Sequence, residues 1–228
     1  VMCYEHRTPS TAESSLERFK IIWKMFEVDM FNLGIDARPS VAEDSNILIV
    51  DGKELWLTNI FFWHLNTYLR ISMQNIEASS ILEIGGGYGA LARIFRQLSP
   101  ELAYDIIDFP ECNKFAEVYL KLAGVEGVTH HESTDTLKDR YDLIISKASL
   151  QEMTPQDRDK WMELIESSCN YFYSLNYADS DSHPETLGIE SLNLDWSKWR
   201  IIHELINPEI ISIDSNRKWR ELILERIK

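Results

Sequence analysis

Positive charge is scarce in this chain. Twenty-three Lys and Arg stand against 37 Asp and Glu, a formal net charge of −14 over 228 residues. Binding to phosphate backbones needs clustered basic side chains, so the composition argues against a nucleic-acid partner and against an anionic membrane surface. Cysteine is nearly missing. Cys3, Cys112 and Cys169 are far apart and form no C-x-x-C pair. Neither a zinc ribbon nor a redox pair is indicated, and the three read as reduced thiols in a cytoplasmic protein. No apolar run reaches the ~18 residues of a membrane span. Residues 1–20 lack the basic-then-apolar pattern of a secretory signal, an absence of little weight because the chain opens Val1-Met2. The six histidines form neither H-x-x-x-H nor H-E-x-x-H, so no metal site is expected.

What is present is a chain of 44% hydrophobic and 11% aromatic residues, which excludes disorder as its main state. Its length predicts one domain with an appendage. Leu16, Phe19, Ile22, Trp23, Phe26, Met30 and Phe31 fall at i, i+3, i+4 spacing and predict an amphipathic helix over 12–33. Ile47–Val50 and Glu54–Leu57, joined at Asp51-Gly52, predict a hairpin. An aromatic-rich helix is expected over Asn59–Ile76. Together these make residues 1–78 a helical cap with a short hairpin, and 79–228 the main domain.

From Ser80 the pattern becomes strand-helix alternation. Strands are expected at 81–84, 103–108, 127–131, 141–146, 171–176, 199–206 and 218–226, with helices at 90–98, 111–123 and 155–169. This predicts an α/β, Rossmann-like, mostly parallel seven-stranded sheet with helices on both faces. The last two strands lack an intervening helix, so an antiparallel last strand is expected. The stretch Ser133–Arg140 is short for a crossover helix.

Four of the nine glycines fall within Gly85-Gly86-Gly87-Tyr88-Gly89, between the first of these strands and its helix. Glycines there turn the backbone sharply and leave no Cβ in a ligand's way. The N–H groups of the following helix face the same crevice. Asp108 ends the next strand, 19 residues after Gly89, where a carboxylate accepts both ribose hydroxyls of an adenosine cofactor. Gly85-x-Gly87-x-x-Ala90 also fits a dinucleotide fingerprint. Against that, Glu83 stands where a nucleotide-binding strand usually carries an apolar residue, and too little chain follows for a full dinucleotide fold plus a substrate domain. An acidic Glu83 suits a cationic ligand, as the amino group and sulfonium of S-adenosylmethionine (SAM) provide.

At these residues the chain resembles the class I SAM-dependent methyltransferases. Their acidic-x-Gly-x-Gly-x-Gly motif is matched by Glu83, Gly85, Gly87 and Gly89, and their second acidic position by Asp108. The resemblance covers residues 80–228. It implies the fold above, SAM as cofactor, and a cofactor site that also takes in Gly86, Tyr88, Phe109 near the ribose or adenine, Ser133 and Thr134 near adenine, and Ser146 and Lys147 after the fourth strand. Ile107–Glu111, Tyr141–Ser146, Ser149–Met153 and Tyr173–Asn176 further resemble the sugar O-methyltransferase family. Ser146-Lys147-Ala148 departs from the Asn-containing stretch common there.

A hydroxyl acceptor needs a base. Glu152, after the fourth strand, is the first candidate, and its alternative role is a helix-start carboxylate. Gln151 and Asn176 are candidates to orient the acceptor or to cap a helix and a turn. His64, on the aromatic helix, is a further candidate base, and His183 lies in the loop Asp179–Pro184, expected to border the substrate mouth. The expected reaction is methyl transfer to a small-molecule acceptor, sugar-like and neutral or cationic. The alternatives are cyclisation of SAM with release of methylthioadenosine, and a SAM-binding protein without catalysis. Exposed aromatics of the N-terminal third offer a surface for a homodimer.

Overall fold

The computed structural model describes residues 17, 20, 24, 26, 30–39, 46–50, 52–177, 194–206 and 219–227. Leu16, Phe19, Ile22, Trp23 and the loop with His183 lie outside the described residues. Of the helix predicted over 12–33, Met30–Leu33 forms a defined helical turn. The hairpin forms as expected, β1 (Asn46–Val50) antiparallel to β2 (Lys53–Leu57), with Gly52 at positive φ in the turn. The aromatic helix is α1 (Asn59–Met73). The Thr58 hydroxyl accepts the Phe61 N–H at 3.0 Å and closes its first turn.

The remaining elements are β3 (Ser80–Ile84), α2 (Ala90–Leu98), β4 (Ala103–Ile107), α3 (Pro110–Leu122), β5 (Val128–His131), β6 (Tyr141–Lys147), α4 (Pro155–Ser168), β7 (Cys169–Tyr177), β8 (Trp199–Ile206) and β9 (Trp219–Arg226). Seven strands form one sheet in the order β5-β4-β3-β6-β7-β9-β8. β5, β4, β3, β6 and β7 pair in parallel, and β9 lies antiparallel between β7 and β8. The strand order reverses between β3 and β6. That is where an open parallel sheet leaves a crevice at its carboxyl edge.

The central strands are apolar on both faces because helices cover both. Ile81, Ile106, Leu143, Ile145 and Tyr173 pack with Leu91 and Phe95 of α2 and Tyr119 and Leu120 of α3. Leu82, Ile84, Ile144 and Phe172 pack with Met162 and Ile165 of α4. Ile71 of α1 belongs to the first of these clusters. α1 thus contributes to the same core as the sheet and its helices. A buried polar network fixes the same junction. Glu221 of β9, 1% exposed, lies 3.2 Å from Arg70 Nε and accepts the Tyr173 hydroxyl at 2.8 Å. The Thr67 and Tyr173 hydroxyls are 3.2 Å apart.

After β5 the chain makes only a 3-10 turn, Thr134–Thr136, as the short Ser133–Arg140 stretch implies. The face beside it is closed by charge. Buried Asp105 accepts the Tyr141 hydroxyl at 2.8 Å, and Lys138 Nζ stands 3.0 Å away. Burial holds the Tyr141 hydroxyl well above its ordinary pKa, so it stays a donor.

Candidate functional site

The glycine turn is built by backbone geometry. Gly85 and Gly87 have φ of +75° and +56°, in the left-handed region that side chains resist. A Cβ on Gly85 would stand 2.5 Å from the Ser149 Cβ, so the turn packs against the segment after β6. A Cβ on Gly86 would meet Ile106 at 2.7 Å. Around Gly87 nothing lies within 4 Å of the Cβ position. The underside of the turn is thus close-packed, while its outer surface at Gly87 is open.

Asp108 follows β4 and holds that turn. Its Oδ2 accepts the Gly87 N–H at 2.8 Å and its Oδ1 the Phe109 N–H at 2.7 Å. Half-buried, it keeps lone pairs for a ligand, since a carboxylate accepts about four hydrogen bonds. Phe109 is exposed beside it. Asn113 Nδ2 donates to the Asp108 and His131 carbonyls at 3.2 and 3.0 Å, which fixes the ends of β4 and β5 together. The chain's own residues fit an adenosine-type cofactor: an open glycine face, a carboxylate at its side and the α2 N-terminus behind.

Glu83 sits near the end of β3. It is 3% exposed, beneath the turn, and accepts the Tyr104 hydroxyl at 3.0 Å. Its Oε2 lies 3.2 Å from the Gly86 Cβ position. The carboxylate supports the turn from below rather than lining its open side. Tyr88 stacks edge-on against Tyr119, centroids 4.9 Å apart, and faces the His64 ring at 6.3 Å.

At the end of β6, Lys147 Nζ lies 2.9 Å from His64 Nδ1 and 3.5 Å from the centroid of Trp63. Burial, and then the Lys147 charge, hold His64 well below its ordinary pKa. A neutral imidazole whose Nδ1 takes a Lys147 proton is a poor proton acceptor. The contact holds the His64 ring beside the end of β6. Ser146 is fully buried, and its hydroxyl pairs with Ser149 Oγ at 2.9 Å. Ser149 in turn donates to the Ile84 carbonyl at 2.6 Å. These hydroxyls bind β6 to the glycine turn. Ala148 between them has φ of +60°, a strained conformation for alanine.

Gln151 is buried, and its Oε1 accepts the Tyr177 N–H at 2.7 Å, which ties the turn after β6 to β7. Glu152 is exposed on the same turn, at the carboxyl edge of the sheet. Asn176 is the last residue but one of β7, 2% exposed, and its Nδ2 donates to Ser174 Oγ at 2.8 Å. Ser133 and Thr134 are exposed after β5, and Ser133 Oγ accepts the Asp135 N–H. His131 is buried with Nδ1 2.8 Å from Thr136 Oγ1, while His130 is half-buried. Among the described residues no group of His, Cys, Asp and Glu is arranged to hold a metal, and no helix is long and apolar enough to cross a membrane.

No protein-family model and no curated protein matches the chain. Solved structures do. A protein from Galdieria sulphuraria, described as a sarcosine dimethylglycine methyltransferase, superposes with a TM-score of 0.56 at 15% identity, covering 73% of this chain and 84% of that one. The N-terminal domain of EvdMO1 with SAH bound gives 0.52 at 14% identity, over 92% of this chain and 97% of that one. The same domain in the presence of SAH and D-fucose gives 0.50 at 14%, over 96% and 100%. The fold is that of the class I methyltransferases. At these identities the likeness speaks for the fold. The Lys147–His64 pair, the buried serines and the Arg70–Glu221 network were not foreseen from sequence. The one signal for the last was a charged residue, Arg70, within the aromatic helix.

Proposed function

We propose that the crevice binds SAM and that the protein transfers its methyl group to an oxygen of a small, sugar-like acceptor. The observation that carries the reading is the open face of Gly87 with Asp108 at its side. SAM, when bound, supplies a methyl group already activated by the sulfonium. The chain's residues do the rest. Asp108 accepts the ribose hydroxyls, and Phe109 shields the sugar. Ser133 and Thr134 offer hydroxyls at the adenine end. The N–H groups at the start of α2 and the ammonium of Lys147 favour the anionic end of the amino-acid tail. Glu152 accepts the acceptor's proton at the carboxyl edge of the sheet. The α1 aromatics Trp63 and Tyr88 of the turn exclude water from the same region.

A sugar-like acceptor is supported by the EvdMO1 domain. It spans the same extent of chain and was solved in the presence of SAH and D-fucose. The test is incubation with SAM alone, then with sugar acceptors, reading by-products by mass spectrometry. S-adenosylhomocysteine formed only with an acceptor supports transfer. Methylthioadenosine formed without one overturns transfer in favour of cyclisation or breakdown. Tight SAM binding with neither product favours a non-catalytic protein.

A further inference from the structure

Arg158 lies on the buried face of α4, one turn before Met162 and two before Ile165, both of which pack into the core. It is 3% exposed, and its Nε and Nη1 have no hydrogen-bond partner among the described residues. Burial pulls its pKa below the ordinary value. Nε and Nη1 have given up water without gaining an acceptor, which is costly, and besides burial the only charge acting on the group among the described residues is that of Asp159, next to it in sequence. Crossover helices run against their strands, so the first turn of α4 stands at the carboxyl edge of the sheet, where the crevice is.

A second unpartnered group shares that edge and that face. Asn176 alternates with Ser174 and Phe172 on β7. Phe172 packs with Met162 and Ile165, so this side of the strand faces α4. Asn176 Oδ1 is buried and has no hydrogen-bond partner among the described residues. Ser146 and Ser174, Cα partners on β6 and β7, continue the polar layer above the apolar core. Two guanidinium nitrogens lacking an acceptor and an amide oxygen lacking a donor thus rise from α4 and β7 on one side of the crevice.

We propose that Arg158 and Asn176 form the acceptor subsite, and that the acceptor is a hydroxy acid of sugar type. Arg158 takes its oxyanion, a geometry the guanidinium fork matches. Asn176 Oδ1 accepts from a neighbouring hydroxyl. The inference rests on the methyltransferase reading and revises its expectation of a neutral or cationic acceptor. A carboxylate suits the net charge of −14 better than a phosphate dianion does.

The test is thermal unfolding of the full chain, alone and with SAH, in D-glucuronate, inorganic phosphate or D-glucose at matched ionic strength. D-glucuronate and D-glucose differ in one carboxylate. The wild type is expected to gain about 2–4 °C more from glucuronate than from glucose, the shift that a ligand at about five times its Kd gives a chain of this size. Arg158→Met is expected to lose that advantage, to melt no lower than wild type without ligand, and to keep SAH affinity within about twofold. Arg158→Lys keeps part of the advantage. Neither glucuronate nor phosphate outperforming glucose, while SAH binds, overturns the subsite and leaves the methyltransferase reading standing. An insoluble or much less stable Arg158→Met chain overturns it too, because the guanidinium is then paired within the protein. A tenfold loss of SAH affinity in that variant assigns Arg158 to the cofactor's carboxylate instead. Absence of SAH binding to wild type, with glucuronate still protective, sinks the parent reading alone.

Discussion

Two glycines of the turn separate stability from binding. Both carry positive φ, and an alanine there costs about 1–2 kcal/mol of conformational strain. At Gly85 the added Cβ also stands 2.5 Å from the Ser149 Cβ, against ordinary carbon contacts of about 3.5–4.0 Å. Overpacking of that kind adds about 1–3 kcal/mol. Ser149 cannot easily retreat, because its hydroxyl is held by the Ile84 carbonyl. Gly85→Ala is therefore expected to lose about 2–5 kcal/mol in urea unfolding. Gly87→Ala meets nothing within 4 Å and is expected to lose only the strain. Its methyl group projects into the space assigned to the cofactor, so SAH affinity should fall at least about tenfold, or 1.4 kcal/mol. Calorimetric titration of a folded Gly87→Ala chain reads this directly. Affinity within twofold of wild type would mean the open face of the turn is not where the ligand lies.

Further outcomes follow from single contacts. Asp108→Asn keeps the side chain's shape but turns one acceptor into a donor facing the Gly87 or Phe109 N–H. SAH affinity should drop by about 1.5–3 kcal/mol, the range for hydrogen bonds to charged groups, and unchanged calorimetric affinity refutes the ribose role. His64 stays neutral in the native state while its unfolded pKa is about 6.5. Below that pH the unfolded chain takes a proton the native chain refuses, so stability falls as pH falls, by about 1.4 kcal/mol per unit. His64→Gln should flatten this slope in denaturant melts at pH 5–7, and an unaltered slope contradicts the assignment. Arg70→Met leaves Glu221 charged and buried, which should cost about 3–5 kcal/mol. Adding Glu221→Gln should recover more than half, and no recovery would show that packing against α1, not charge, is what matters there.

The strands, helices and glycine turn were legible because each rests on a local signal. Ile81-Leu82 and Leu143-Ile144-Ile145 are apolar runs, Pro155 follows the capping Thr154, and the glycines lie side by side. Thr154 does cap α4, accepting the Asp157 N–H. Gly87 and Asp108 were found together because both lie at strand ends that pairing makes adjacent. The roles of Glu83, Ser146 and His64 were not legible, because they depend on facing. Glu83 shares its side of the sheet with Ile81 and so points under the turn, and only strand alternation combined with helix placement reveals it. The Lys147–His64 contact joins residues 83 positions apart. Arg158 left a readable trace, a charge at i−4 and i−7 from two core positions, but its lack of a partner is a three-dimensional fact. The packing of the aromatic helix is of the same kind: its sequence shows an amphipathic helix, but not that Ile71 joins the sheet's core or that Arg70 meets Glu221.

The central claim is that the crevice between β3 and β6 is a SAM site. Calorimetric titration of the full wild-type chain with S-adenosylhomocysteine tests it most directly. The account predicts saturable binding of one molecule per chain, weakened at least about tenfold by Gly87→Ala. No saturable heat from a folded wild-type protein would contradict it.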